Sequence, residues 1–154
     1  MLKTILCLLM FAGSTQTDAF KKEMTPLQNS VDTVVSSTGA RFMGSEGSKA
    51  TYLEGYGVVV VLEVMLEPPS GPFGPTRGDQ VKTIVSQRRQ QLESKLSDLL
   101  KQQVTKMESV GPTESLAVIV HILNVTRADV PDLPKQLVLS VKKEAPDQIS
   151  IKEY

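Results

Sequence analysis

The sequence predicts an α+β fold, a two-layer sandwich with a mostly antiparallel sheet and one short and one long helix, in the order α-β-β-α-β-β. Three observations predict it. Residues 57–66 and 116–125 are runs too short for a membrane helix and apolar on both parities, the pattern of strands in a sheet interior. A helical period runs from Val81 to Met107. Between the first run and that helix lies a proline- and glycine-rich connection, residues 68–78, which breaks both helix and strand. Strands, one long helix and more strands, without a repeat or a low-complexity tract, are the pattern of a sheet with helices on one face, with a ferredoxin-like or split variant as the alternative topology.

In chain order, Thr25-Pro26 offers a helix start, a hydroxyl N-cap followed by proline at the first helical position, where its missing N–H costs nothing. Leu27, Val31, Val34 and Val35 then make one apolar stripe, and Ser36, Ser37, Thr38 and Gly39 end it. Residues 41–67 read as β-structure, with strands at 50–53 and 57–66. The glycines of Glu54-Gly55-Tyr56-Gly57 permit either a tight turn or a bulge in one bent strand. The long helix runs from Asp79, a plausible N-cap, to about Ser109. Arg88 interrupts its stripe, and Gly111-Pro112 stops it. At 1.5 Å per residue it would extend roughly 45 Å, longer than a small domain is wide, so an end is expected to overhang or bend. Strands at 116–125 and 136–141 follow, with a short edge strand at 149–151.

The first nineteen residues read as an export signal. Lys3 gives the positive start, residues 5–12 a short apolar run, and small residues allow cleavage after Ala19 (Thr17 at −3) or after Ser14 (Ala12 at −3). The run is too short to span a bilayer, so the expected product is a single α+β domain, residues 20–154, released to a secreted or periplasmic location without a stable membrane span. The signal holds one cation and one anion, so the remaining domain stays at zero formal charge, with no basic excess to attract nucleic acid. The only cysteine, Cys7, lies inside the apolar run. The released domain therefore has neither a disulfide nor a thiol nucleophile, which leans toward a bacterial envelope over a small animal secreted domain.

No catalytic constellation is legible. His121 is the only histidine, and one imidazole lacks the partners that a zinc site or a triad needs, so a structural role is the better account. The glycines at 44–57 match neither a P-loop nor a dinucleotide fingerprint. Arg77-Gly78-Asp79 spells an adhesive tripeptide, but three-residue matches arise by chance and Asp79 already serves as a cap. Glu63 and Glu67, four apart on a strand, are expected to share a solvent-facing side. Asp129 and Asp132 read as turn formers, and Asn124-Val125-Thr126 is a glycosylation sequon in a buried-looking strand. No cofactor or metal site is expected.

The segment Ala50-Thr51-Tyr52-Leu53-Glu54-Gly55-Tyr56-Gly57-Val58-Val59 resembles one in a family of exported bacterial proteins of no assigned function, in which it precedes a long helix and a Leu-Pro-x-Gln-like turn, here Leu133-Pro134-Lys135-Gln136. The resemblance covers about residues 48–142. It implies an envelope setting and carries no catalytic residue. It does make Tyr52, Leu53, Gly55, Tyr56 and Gly57, with Leu133, Pro134 and Gln136, the candidate interaction or structural motif. The resulting expectation is a non-enzymatic interaction or assembly module, with an envelope protein as partner or with self-association through the long helix. The alternatives are a small hydrolase using carboxylates such as Glu54, Glu63 and Asp129, and a carrier of an apolar ligand held between helix and sheet.

Overall fold

A computed structural model describes residues 14–68, 78–123 and 130–154. The signal's cation and apolar run, most of the 68–78 connection, the sequon and Asp129 lie outside the described residues. The elements are α1 (Ser14–Ser37), β1 (Arg41–Phe42), β2 (Lys49–Leu53), β3 (Gly57–Met65), α2 (Gly78–Val104), β4 (Ser115–Ile122), β5 (Gln136–Lys142) and β6 (Ala145–Glu153). They form one six-stranded sheet in the order β1-β3-β4-β5-β6, with β2 also paired to β3. Only β3 and β4 run parallel, joined through α2, and every other pair is antiparallel. The expected α+β two-layer sandwich is the fold. The additions are β1, a two-residue strand beyond the end of β2 on the same edge, and a β6 of nine residues where a shorter edge strand was expected.

Period-two alternation assigns the faces. In β3, Val58, Val60, Leu62 and Val64 are buried, as are Leu116, Val118, Val120 and Ile122 in β4 and Leu137, Leu139 and Val141 in β5. These residues share a core with Met24, Leu27, Val31 and Val35 of α1 and with Val81, Val85, Leu92, Leu96, Leu100 and Val104 of α2. Both helices therefore cover the same face. The opposite-parity residues Val59 and Ala117 are also buried but do not belong to that core.

Three boundaries differ from the sequence reading, each for a physical reason. Helix α1 does not start at Thr25-Pro26 but passes through Pro26. The upstream turn supplies Met24, which is buried, and Phe20, whose ring meets Tyr52 edge-on at 5.9 Å, and these contacts offset a proline's cost to a helix interior. Helix α2 ends at Val104 and not near Ser109, because the next residues are captured by side chains from elsewhere in the fold. Asp79 sits inside the first turn of α2 and is not its cap, since the helix already begins at Gly78.

The overhang expected of α2 does not occur either. Its apolar stripe is buried from Val81 to Val104, leaving no apolar end over. Arg88, the break in that stripe, is half-buried, and its Nη1 donates to the Leu66 carbonyl at 2.9 Å. Its guanidinium lies so close to Gly39 (φ 74°) that a β-carbon there would stand 3.1 Å from Nε. An arginine in a core stripe is tolerated because its donors find a backbone acceptor.

Candidate functional site

The two halves of the candidate motif lie at opposite ends of the sheet. Tyr52–Gly57 joins β2 to β3 as a tight hairpin. Leu53 pairs with Gly57, and the Tyr56 N–H donates back to the Leu53 carbonyl at 3.0 Å, which decides for the turn over the bulge. Gly55 (φ 76°) and Gly57 (φ 115°) both need left-handed backbone. Gly57 has a second constraint, since a β-carbon on it would collide with the Ser115 carbonyl oxygen where β4 begins. The Ser115 N–H in turn donates to the Tyr56 carbonyl at 2.7 Å.

Behind this hairpin a polar network fastens the chain between α2 and β4. The Tyr52 hydroxyl donates to Glu114 Oε1 at 2.6 Å, and the Gly111 N–H donates to Glu114 Oε2 at 2.7 Å. The Tyr52 bond is the main reason Glu114 is held below the ordinary carboxyl value, and the same bond raises the Tyr52 phenol above its own. From α1, the Glu23 carboxylate accepts the N–H groups of Glu108 and Ser109 at 2.8 and 3.0 Å. Partial burial pushes the Glu23 pKa up, but the Ser109 hydroxyl, those two amides and Lys143 together outweigh it and hold the group low. Lys143, in the β5–β6 turn, donates to the carbonyls of Met107 and Val110 at 2.6 and 2.7 Å. Each of these groups closes a loop or satisfies a backbone atom, so Tyr52, Gly55 and Gly57 are structural. Leu53 and Tyr56 point out and are exposed.

At the other end, Leu133 and Pro134 precede β5, and Gln136 begins it by exchanging both backbone hydrogen bonds with Tyr154 at 3.0 Å. Leu133 and Pro134 also line a groove of about 260 Å3 against the first half of α2, together with Val130, Pro131, Asp132, Lys82, Ser86, Arg89 and Gln90. Arg89 is held there by Glu153 of β6 at 3.0 Å and by Glu93, one helical turn on, at 4.0 Å. Sequence spacing could not reveal this groove, because the loop and the helix wall are some forty residues apart in the chain.

The two described candidate carboxylates, Glu54 and Glu63, do not converge. Glu54 lies in the hairpin turn, and Glu63 lies near the far end of β3, about 20 Å along the strand from Gly57. Glu67 does not share the side of Glu63. It follows the strand end and is buried, whereas Glu63 is exposed. His121 is half-buried on the face away from the helices, between Glu63 on β3 and Gln136 on β5. No group of three His, Cys, Asp or Glu side chains suited to a metal ion is present among the described residues, and none of their helices is long and apolar enough to cross a membrane.

The largest unassigned feature is the sheet face that the helices leave bare. Cross-strand register places Lys49, Val61, Ile119, Val138 and Lys152 in one row across five strands. Thr51, Val59, Ala117, Ser140 and Ser150 form the next row on one side, and Glu63, His121 and Gln136 the next on the other. The centre is apolar and the rims are polar. Among the described residues no element packs on this face. Comparison of the chain with protein-family models, with curated proteins and with solved structures finds no match in any of the three.

Proposed function

We propose that this chain is a non-enzymatic domain that works after export in a bacterial envelope, and that it assembles by joining two copies through the bare sheet face. One observation carries the reading: Val61, Ile119 and Val138 stand side by side, each partly exposed, on a face that no described helix or strand covers. A half-exposed apolar row at the middle of a sheet is the chemistry of a face that another surface covers.

Size and symmetry favour a second copy. Five strands spaced about 4.8 Å apart and averaging about 25 Å long make a face of ~600 Å2, somewhat under the ~800 Å2 per partner of a standard interface. A two-fold axis parallel to the strands through β4 sets Ile119 on its own counterpart and Val61 on Val138, with Thr51 over Ser150. That arrangement brings Lys49 over Lys152 at the rim, where Lys49 is already paired with Glu46. The buried stripe of α2 favours the sheet over the long helix as the assembly surface.

Export is the setting of this reading, and the likeness of residues 50–59 to a segment of exported bacterial proteins belongs with it. N-terminal sequencing of protein from the periplasmic fraction is expected to start at Phe20 or Thr15. A chain that keeps Met1 and stays in the cytosol contradicts it. Assembly is tested by sedimentation velocity, in which the wild type is expected at twice the chain mass and Ile119→Lys at one. A wild type that sediments as a monomer at tens of micromolar overturns the homodimer.

A further inference from the structure

We propose that the groove between α2 and the Val130–Pro134 loop binds a small amphiphilic carboxylate, an acid of medium-chain fatty-acid size. This site is independent of the sheet face, because its walls lie at the helix side and at the β5 entrance.

The two walls of the groove differ in chemistry. On α2, Lys82, Ser86, Arg89 and Gln90 follow one another at i, i+4, i+7 and i+8, so they share one side of the helix over two turns. They offer an ammonium, a hydroxyl, a guanidinium and an amide, all donors. The opposite wall is Val130, Pro131, Leu133 and Pro134. Its two prolines carry no N–H, so that wall offers contact surface and few donors. Asp132 is the only acid among the lining residues, and of the two cations there Arg89 is already paired with Glu153 and Glu93 while Lys82, among the described residues, is not.

Arg89 is half-buried, and Glu153 and Glu93 fix its guanidinium. Two carboxylates held at single contacts leave some of its five N–H groups free for a third acceptor. Lys82 is exposed and has no ion-pair partner among the described residues. A carboxylate between Lys82 and Arg89 would gain two charge-assisted contacts, while an alkyl or aryl body would lie along Leu133 and the prolines. The volume, about 260 Å3, falls just under the range of about 300–1,000 Å3 typical of drug-sized ligands, so the occupant is small. An acid with an apolar body matches both walls, whereas an inorganic anion matches one and a neutral alcohol the other.

Octanoate is the probe, titrated into the 15N-labelled protein and followed by amide shifts, with octanol and inorganic phosphate as parallel arms. The expected result is saturable shifts at Ser86, Gln90, Leu133 and Lys135, at least about tenfold weaker affinity for each arm, and a similar loss in Lys82→Glu. Lys82 is exposed on a helix surface, so this variant is expected to keep the wild-type spectrum elsewhere. Ser86→Trp, which fills the groove without touching the charges, is expected to abolish the shifts as well. Repeating the titration in Ile119→Lys separates this site from assembly, since its shifts are expected unchanged in the monomer. The proposal is overturned by no shifts at millimolar octanoate, by shifts centred on Val61 and Ile119 in place of the groove, or by phosphate or octanol binding as tightly as octanoate. Binding that survives Lys82→Glu also overturns it.

Discussion

Replacing Gly57 by alanine is expected to be far more damaging than the same change at Gly55, two residues earlier in the hairpin. Both glycines have positive φ, 76° at Gly55 and 115° at Gly57. An L-residue in left-handed backbone costs about 1–2 kcal/mol, and Gly55 has nothing within reach of an added β-carbon, so Gly55→Ala should cost about 1 kcal/mol. Gly55→Asn should cost less still, because asparagine tolerates that conformation. At Gly57 the new methyl would meet the Ser115 carbonyl oxygen, and the first rung of the parallel β3–β4 pair must open to admit it. Overpacking of this kind adds about 1–3 kcal/mol, for a total of about 3 kcal/mol. In a domain of this size the corresponding fall in Tm is roughly 10–15 °C. Urea unfolding followed by circular dichroism measures both variants, with the midpoint falling and the slope unchanged. Equal losses at the two glycines would refute the close approach of the hairpin to Ser115, and with it the β3–β4 register.

Other perturbations test the network and the first helix. Glu114 and Glu23 have pKa values lowered by folding, so each contributes stability that is present above the unfolded carboxyl value and lost as pH falls through the folded one. The urea midpoint should therefore fall on acidification below about pH 4.5, and Glu114→Gln should be weaker than wild type at neutral pH and flatter in acid. A variant curve parallel to wild type throughout contradicts the assignment. Tyr52 carries the opposite sign. Its phenol is raised, so its contribution is complete below the unfolded value and declines as alkaline pH passes the folded one, a decline that Tyr52→Phe should remove. Lys143→Met strips two donors from the Met107 and Val110 carbonyls and should cost about 2 kcal/mol by urea unfolding, with faster amide exchange at residues 105–111. Pro26→Ala restores an N–H inside α1 and should stabilise by about 1–3 kcal/mol, whereas a neutral effect would mean that the helix begins at Pro26.

Where one local signal decides an element, it was legible in the chain. The apolar runs of β3 and β4 and the period of α2 are signals of that kind. So is the alternation of Leu137, Leu139 and Val141 in β5. Boundaries set by distant residues were hidden. Nothing near Val104 announces that Glu23 and Lys143 take over the following backbone, and nothing near Pro26 reveals that Phe20 finds the ring of Tyr52. The site was legible only in part. The hairpin and the Leu133–Gln136 turn were recognisable as motifs, but the sequence could not show that they occupy opposite ends of the sheet. Valines on both parities of β3 suggested a strand covered on both faces, and Val59 is indeed buried on the side away from the helices, although both helices fell on the other side. Val61 is therefore left half-exposed beside Ile119, a mismatch visible only once the layers are placed.

Assembly through the bare face is tested most directly by cysteine cross-linking of residues 20–154, which contain no cysteine of their own. Ile119→Cys lies beside the two-fold axis and is expected to form a disulfide-linked dimer under mild oxidation, while Lys101→Cys on α2 is expected to stay monomeric. A dimer linked through position 101, with position 119 unreactive, would contradict the account and return the interface to the long helix.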